Sequence, residues 1–284
     1  MSVSDPTSTV IATEPSSAGG IRVWEWPGSP GSPPAALLMH GIGNYGRYWD
    51  FFADAIAGRL RLVAPDARGH GDSHKPAEGY APDDFVRDAV LVLDAKAMAR
   101  AIVIGHSMGG FHATALTLVH PLRVQALVLV DVGPRVEEAG SSRARRLSLG
   151  RPDRFPDEAT ALAYLHATSP GYSKAVYANR IAWVFRRDET GGLVWRSSKH
   201  ALLKIVDQSS GTSAVVWDRL GEIRCPVLVV RGTRSPSFSD ATAKRMLQIL
   251  PQARLVELDA AHNVALDRPM ELANAVVTFA REVS

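Results

Sequence analysis

"AIVIGHSMGG", residues 101–110, is the stretch on which the fold turns. Ile102, Val103 and Ile104 run into Gly105, and one serine, Ser107, stands between Gly105 and Gly109. An apolar run of this kind reads as a strand buried on both faces. The residues after it, "MGGFHATALTLVHP" at 108–121, read as a helix that Pro121 stops. Ser107 therefore sits where a strand turns abruptly into a helix. Such a turn strains its central residue and exposes the side chain, and flanking glycines remove the Cβ atoms that would collide across it. The helix N-terminus aims free N–H groups and its positive end at whatever Ser107 attacks. An exposed nucleophile is the reading, against the plainer one of a glycine-bearing turn with an incidental serine.

Outward from this turn, short apolar runs alternate with helical patterns. The runs are "AALLMH" (35–40), "LRLVAP" (60–65), "AIVIG" (101–105), "ALVLVD" (126–131), "PVLVVRG" (226–232) and "ARLVELD" (253–259). Amphipathic stretches at 83–98, 108–121, 239–251 and 269–283 lie between or after them. Strand and helix repeated in this way predict an α/β fold with a doubly wound, mostly parallel sheet. From Pro134 to Leu220 the alternation breaks, and no convincing buried strand is present. A helical cap over 134–220 is expected, placed over the carboxyl ends of the strands where ligands bind in open α/β sheets. The core is then 21–133 and 221–284. Residues 1–20, rich in Ser, Thr, Pro and Gly, read as a flexible tail.

Bulk properties exclude several classes. The 284 residues are 46% hydrophobic and 21% charged, ordinary for an enzyme-sized protein that buries a full core. A net charge of +3 does not suggest nucleic-acid binding. Cys225 is the one cysteine, so no disulfide forms within the chain and a reducing, cytoplasmic location is expected. Beside Pro226 and "VLVV" it reads as an inert, buried thiol. No segment reaches the ~18 apolar residues of a membrane span, and the first residues have no signal-peptide pattern. Oligomeric state is not legible.

A second element, "LLMHGIGNYGRYW" (37–49), ends a strand in His40-Gly41, and the glycine lets the backbone approach the site. The N–H of Ile42 is then placed to join the N–H of Met108 in holding an oxyanion. His40 reads as a structural residue that fixes this loop, and His70 and His74 of "APDARGHGDSHKP" (64–76) as loop residues.

Together "HGIG…W", "DARGHGDSHKP", "GHSMGG" and "AAHNVALDRPMELANAV" resemble the α/β-hydrolase superfamily, from about residue 21 to the end apart from 134–220. The resemblance implies a nucleophile–histidine–acid triad and no cofactor or metal. A serine hydroxyl needs a base. Among nine histidines only His262 follows the last strand on a loop, where the family keeps its base. His106 is expected to point away from the site. His112, His120, His166 and His200 fall on helical patterns.

The acid departs from the common pattern. Many relatives carry Asp shortly after the strand at 226–232, whereas "RGTRSPSFSD" has Ser235 there. Asp131, at the carboxyl end of the preceding strand, and Asp240, which opens a helix pattern, are the candidates. Asp131 is favoured, because a carboxylate at the tip of an apolar strand needs a partner that His262 supplies. The "RG-x-x-S" stretch resembles that of members with the acid after this earlier strand, among them bacterial ester hydrolases and an enamide hydrolase of pyridoxine breakdown.

The expected protein is a serine hydrolase acting on an ester, thioester, lactone or amide of a small molecule. Carbon–carbon bond hydrolysis by the same triad and a receptor-like member with a vestigial triad are the alternatives. Residues 134–220 carry a balance of +5, which favours an anionic substrate by steering; a solvated helical face is the plainer reading. Tyr164, Tyr177, Trp183, Phe185 and Trp195 are candidates for pocket walls or for packing within the cap.

Overall fold

Strands that are apolar on both faces need a neighbour on each edge and a helical layer on each side. A computed structural model, describing residues 5–13, 19–29, 35–134 and 138–283, builds this arrangement. The strands are β1 (Thr7–Ala12), β2 (Gly20–Trp26), β3 (Ala36–Met39), β4 (Leu62–Pro65), β5 (Ala101–His106), β6 (Val124–Val130), β7 (Arg154–Phe155), β8 (Phe185–Arg187), β9 (Leu193–Trp195), β10 (Val227–Gly232) and β11 (Ala253–Leu258). Eight of them form one sheet in the order β1-β2-β4-β3-β5-β6-β10-β11. It is parallel from β4 to β11, and β2 joins β1 and β4 antiparallel.

The helices are α1 (Asp50–Ile56), α2 (Pro82–Ala95), α3 (Met108–Val119), α4 (Glu138–Gly150), α5 (Glu158–Thr168), α6 (Lys174–Val184), α7 (Lys199–Arg219), α8 (Asp240–Ile249), α9 (Val264–Asp267) and α10 (Pro269–Glu282). Alternate strand residues divide between two cores. Leu38, Ile102, Ile104, Val128 and Val130 pack with residues of α1 and α10, and Leu37, Val103, Leu127, Leu129 and Val229 with residues of α2, α3 and α8. Each such side chain, fully buried, contributes about 1.5–3 kcal/mol. The double layer holds the carboxyl ends of β3, β5, β6 and β10 in place, and the loops leaving those ends build the site.

Two expectations change. Residues 7–12, read as part of a flexible tail, form the edge strand β1 on β2. Its alternating β-branched "TSTVIA" suits a pleated edge, and its exposure hid it from a search for apolar runs. Residues 134–220 are not helical throughout: β7, β9 and β8 form a small antiparallel sheet between α4, α5, α6 and α7. Strands of two or three residues leave no periodicity to read. Cys225 is partly buried, and that burial pushes its thiol up to about 11, so it stays protonated. Among the described residues no helix is long and apolar enough to cross a membrane.

Candidate active site

Ser107 links β5 to α3 with φ +53° and ψ −121°, a strained conformation for a residue with a Cβ. Two glycines make the turn possible. A Cβ on Gly105 would run into the backbone of Gly110, and one on Gly109 into the carbonyl of Met39. Asp131, just past β6, is also left-handed at φ +52° and only 1% exposed.

The structure brings three of the sequence-derived residues into one chain. Ser107 Oγ lies 3.0 Å from His262 Nε2, and His262 Nδ1 lies 2.7 Å from Asp131 Oδ2. With the carboxylate as acceptor, Nδ1 carries the proton and Nε2 is free to accept from the serine hydroxyl. Asp131 Oδ1 accepts from the N–H of Gly232 at 2.9 Å, and Ser235 Oγ donates to Oδ2. A buried carboxylate is thus fully satisfied. Ser235, which stands where the resemblance led an acid to be expected, is instead a donor to Asp131. Asp240 lies elsewhere: Ser239 caps α8, and Asp240 pairs with Lys244 at 2.7 Å on the helix surface.

His106 departs from its expected orientation. Its Nε2–H donates to the carbonyl of His262 at 2.8 Å, and its ring lies 5.1 Å from that of Tyr48. Burial pushes His106 well below the usual imidazole range, so it braces His262 from behind as a neutral ring. No sequence signal distinguishes this from an outward-pointing histidine.

The loop after β3 is pinned by two buried, neutral histidines. His40 Nδ1–H donates to the carbonyl of Gly41 at 2.8 Å, and its Nε2 accepts from the N–H of Ala67 at 2.9 Å. His70 Nδ1–H donates to the carbonyl of Arg68 at 3.0 Å, and its Nε2 accepts from the N–H of Gly43 at 3.0 Å. Burial lowers His40 to about 4 and His70 well below its usual range. Between these anchors Gly41 passes so close that a Cβ there would meet Ser107 Cβ at 3.1 Å. Among the described residues no hydrogen bond takes the N–H of Ile42 or of Met108. Both residues line the same cavity as Ser107.

That cavity holds about 230 Å³. Its walls include Ser107, His262 and Asp131 on the sheet side, and Leu147, Arg151, Tyr164, Arg180, Trp195 and Ile205 from the insertion. Of the five aromatic candidates, Tyr164 and Trp195 reach the cavity; Tyr177 and Phe185 are buried in packing, and Trp183 lies edge-on to Trp24. Arg151 and Arg180 were not singled out by sequence, since nothing distinguishes them there from nine other arginines of 134–220. Among the described residues no group of three or more His, Cys, Asp and Glu could hold a metal ion.

A strained serine after a parallel strand, hydrogen-bonded to a histidine from the last loop, is an arrangement that comparison with known proteins can place. The family model described as "alpha/beta hydrolase fold" matches residues 34–269. The chain belongs to the α/β-hydrolase family. It is 28% identical over 292 residues to the 3-hydroxybutyrate-oligomer hydrolase of Cupriavidus necator, covering 98% of this chain and 99% of that one. With the 2-(acetamidomethylene)succinate hydrolase of Mesorhizobium japonicum it shares 26% identity over 87% of this chain and 88% of the other. Among solved structures, an esterase of Mycobacterium tuberculosis superposes with a TM-score of 0.79 at 26% identity, over 97% of this chain and 92% of that one. This α/β-hydrolase is an enzyme, a hydrolase acting on a small molecule.

Proposed function

We propose that the enzyme cleaves a carboxylic ester-type bond through an acyl-enzyme on Ser107. His262 takes the serine proton as Oγ adds to the carbonyl carbon, and Asp131 holds the imidazole in its tautomer and stabilises the imidazolium. The N–H groups of Ile42 and Met108 receive the oxyanion; a donor of this kind is typically worth ~10²–10³ in turnover. His262 then protonates the leaving oxygen, and water, deprotonated by the same ring, releases the acid. These steps call for no cofactor. The observation that carries this reading is the unbroken hydrogen-bonded series Asp131–His262–Ser107 opening on a cavity.

Residues 134–220 act in this reading as a cap, because five of its helices and strands supply cavity walls. Long-range steering by its charge is weak support for an anionic substrate. Arg145 pairs with Asp207, Arg154 with Asp188 and Arg187 with Glu158 inside the segment, and Arg196 with Asp72 and Lys204 with Glu78 outside it, so two of the five excess charges are neutralised locally. A reducing, cytoplasmic location suits the lone thiol of Cys225.

A fluorophosphonate probe tests the reading, since it reacts only with an activated serine. One label is expected, on Ser107, together with turnover of para-nitrophenyl butyrate that Ser107→Ala abolishes. Labelling that survives this substitution rejects the assignment.

A further inference from the structure

Two cations face the cavity without an anion to meet them. Arg151 is 7% exposed, and among the described residues neither it nor Arg180 forms an ion pair, in contrast to the four outward-facing arginines named above. Among the described residues, the one carboxylate of the cavity wall, Asp131, is committed to His262, Gly232 and Ser235. A buried guanidinium with no carboxylate in contact is costly to keep, and Asp153 acts on Arg151 only from beyond ion-pair distance, so its attraction offsets little of the desolvation.

The hydrogen bonds of Arg151 show which edge is unused. Nη1 donates to Ser197 Oγ and Nη2 to the carbonyl of Ser197, both at 2.8 Å, so the far end of the guanidinium is anchored on neutral acceptors. Trp195 covers a face of the guanidinium at 4.7 Å. Nε is buried and has no partner. What remains is the side edge, Nε–H with the second Nη2–H, two parallel donors spaced to grip a carboxylate. Arg180 lines the same cavity, and both arginines act electrostatically on the Tyr164 hydroxyl, which places them around one side chain. Burial draws Arg151 down to about 10, which leaves it charged at neutral pH.

We propose that Arg151 and Arg180 form a carboxylate-binding subsite, so that the ester cleaved at Ser107 belongs to a substrate carrying a free carboxylate. The subsite rests on the acyl-enzyme reading for its consequence, but not for its existence. A fixed bidentate grip orients the substrate as well as attracting it, so it acts on the bound complex and not only on encounter.

The test compares kcat/KM for para-nitrophenyl hydrogen glutarate, which bears a carboxylate, with that for neutral para-nitrophenyl butyrate. The wild type should favour the hemiester. Charge-assisted hydrogen bonds of this kind correspond to roughly 10–100-fold, so Arg151→Gln should lower that preference by this factor. Arg180→Gln should lower it in the same direction, and Arg151→Lys should restore part of it. The preference should persist at about 0.5 M salt, because a buried contact is screened far less than steering across solvent. A wild-type preference for the neutral ester overturns the subsite. So does an equal loss on both esters in the Gln variants, which marks the arginines as structural only. If neither ester is turned over, the esterase reading fails and binding decides the subsite separately. Calorimetric titration of Ser107→Ala with glutarate should show binding that Arg151→Gln removes, and no measurable binding overturns the proposal.

Discussion

Asp131 joins a strained backbone, near-complete burial and a carboxylate at the end of an apolar strand, and each is costly alone. Its three donors make the combination stable, and one of them is the His262 imidazole. Asparagine would fit the space but present an amide N–H to Nδ1 or force the other tautomer. Asp131→Asn should therefore leave the fold intact while kcat falls steeply; the serine-protease precedent is about 10⁴. Asp240→Asn removes only a solvent-exposed pair with Lys244 and should leave activity in place. Steady-state kinetics on the two variants decide the matter, and the reverse pattern would return the acid to the loop after β10. The candidate site was legible as far as chemistry depends on chain order. Ser107, His262 and Asp131 each follow a strand, and strands of this kind announce themselves by composition. Ser235 and His106 make contacts, and Arg151 and Arg180 take cavity positions, that exist only after folding, and no spacing marks them.

The loop from Gly41 to Gly46 is too short to hold a shape by its own packing, so its form comes from the two histidines behind it and from Asp66, which accepts the N–H of Gly46 at 2.6 Å. His70 accepts the N–H of Gly43 and fixes the segment that carries the N–H of Ile42. His70→Ala leaves a backbone donor without its partner, a cost of about 1–3 kcal/mol. Melting temperature should fall, and kcat should fall with it as the oxyanion donor drifts, by no more than the ~10²–10³ that one donor is worth. A folded His70→Ala enzyme with unaltered kcat would separate the loop's shape from oxyanion binding. At this scale β3, β4, β5, β6 and β10 were readable because apolar runs buried on both faces have no other use, and β11, a part-exposed edge strand, from its shorter apolar run. β1 escaped because an exposed edge strand needs no apolar face, and β7, β8 and β9 because they are too short.

Across the whole molecule, the interior holds more neutral imidazole than its size requires. His40, His70, His106 and His112 are all buried, and desolvation pushes each below its usual range, His40 to about 4 and His112 to about 3. On unfolding each regains an ordinary imidazole near ~6.5 and binds a proton below that pH. The unfolded state then holds more protons than the native one, so stability rises with pH in this window and is lost as pH falls through it. For each imidazole fully linked, the slope is about 1.4 kcal/mol per pH unit. Three carboxylates act against this trend. Burial raises Asp50 to about 6 and raises Asp54 and Asp66, so the native state keeps their protons to higher pH than the unfolded chain does. Four imidazoles outweigh three carboxylates, and the net direction is acid destabilisation beginning near pH ~6.5. Thermal unfolding should therefore give a lower Tm at pH 5 than at pH 7.5, accompanied by net proton uptake measurable by calorimetry in buffers of different ionisation enthalpy. Replacing His112, which stacks on Phe85 and lines the cavity, by Phe should flatten the dependence by one proton. An equal Tm at both pH values, left unchanged by His112→Phe, would show that these rings are already charged in the folded protein, and their assigned roles as neutral acceptors in the loop would fall with it.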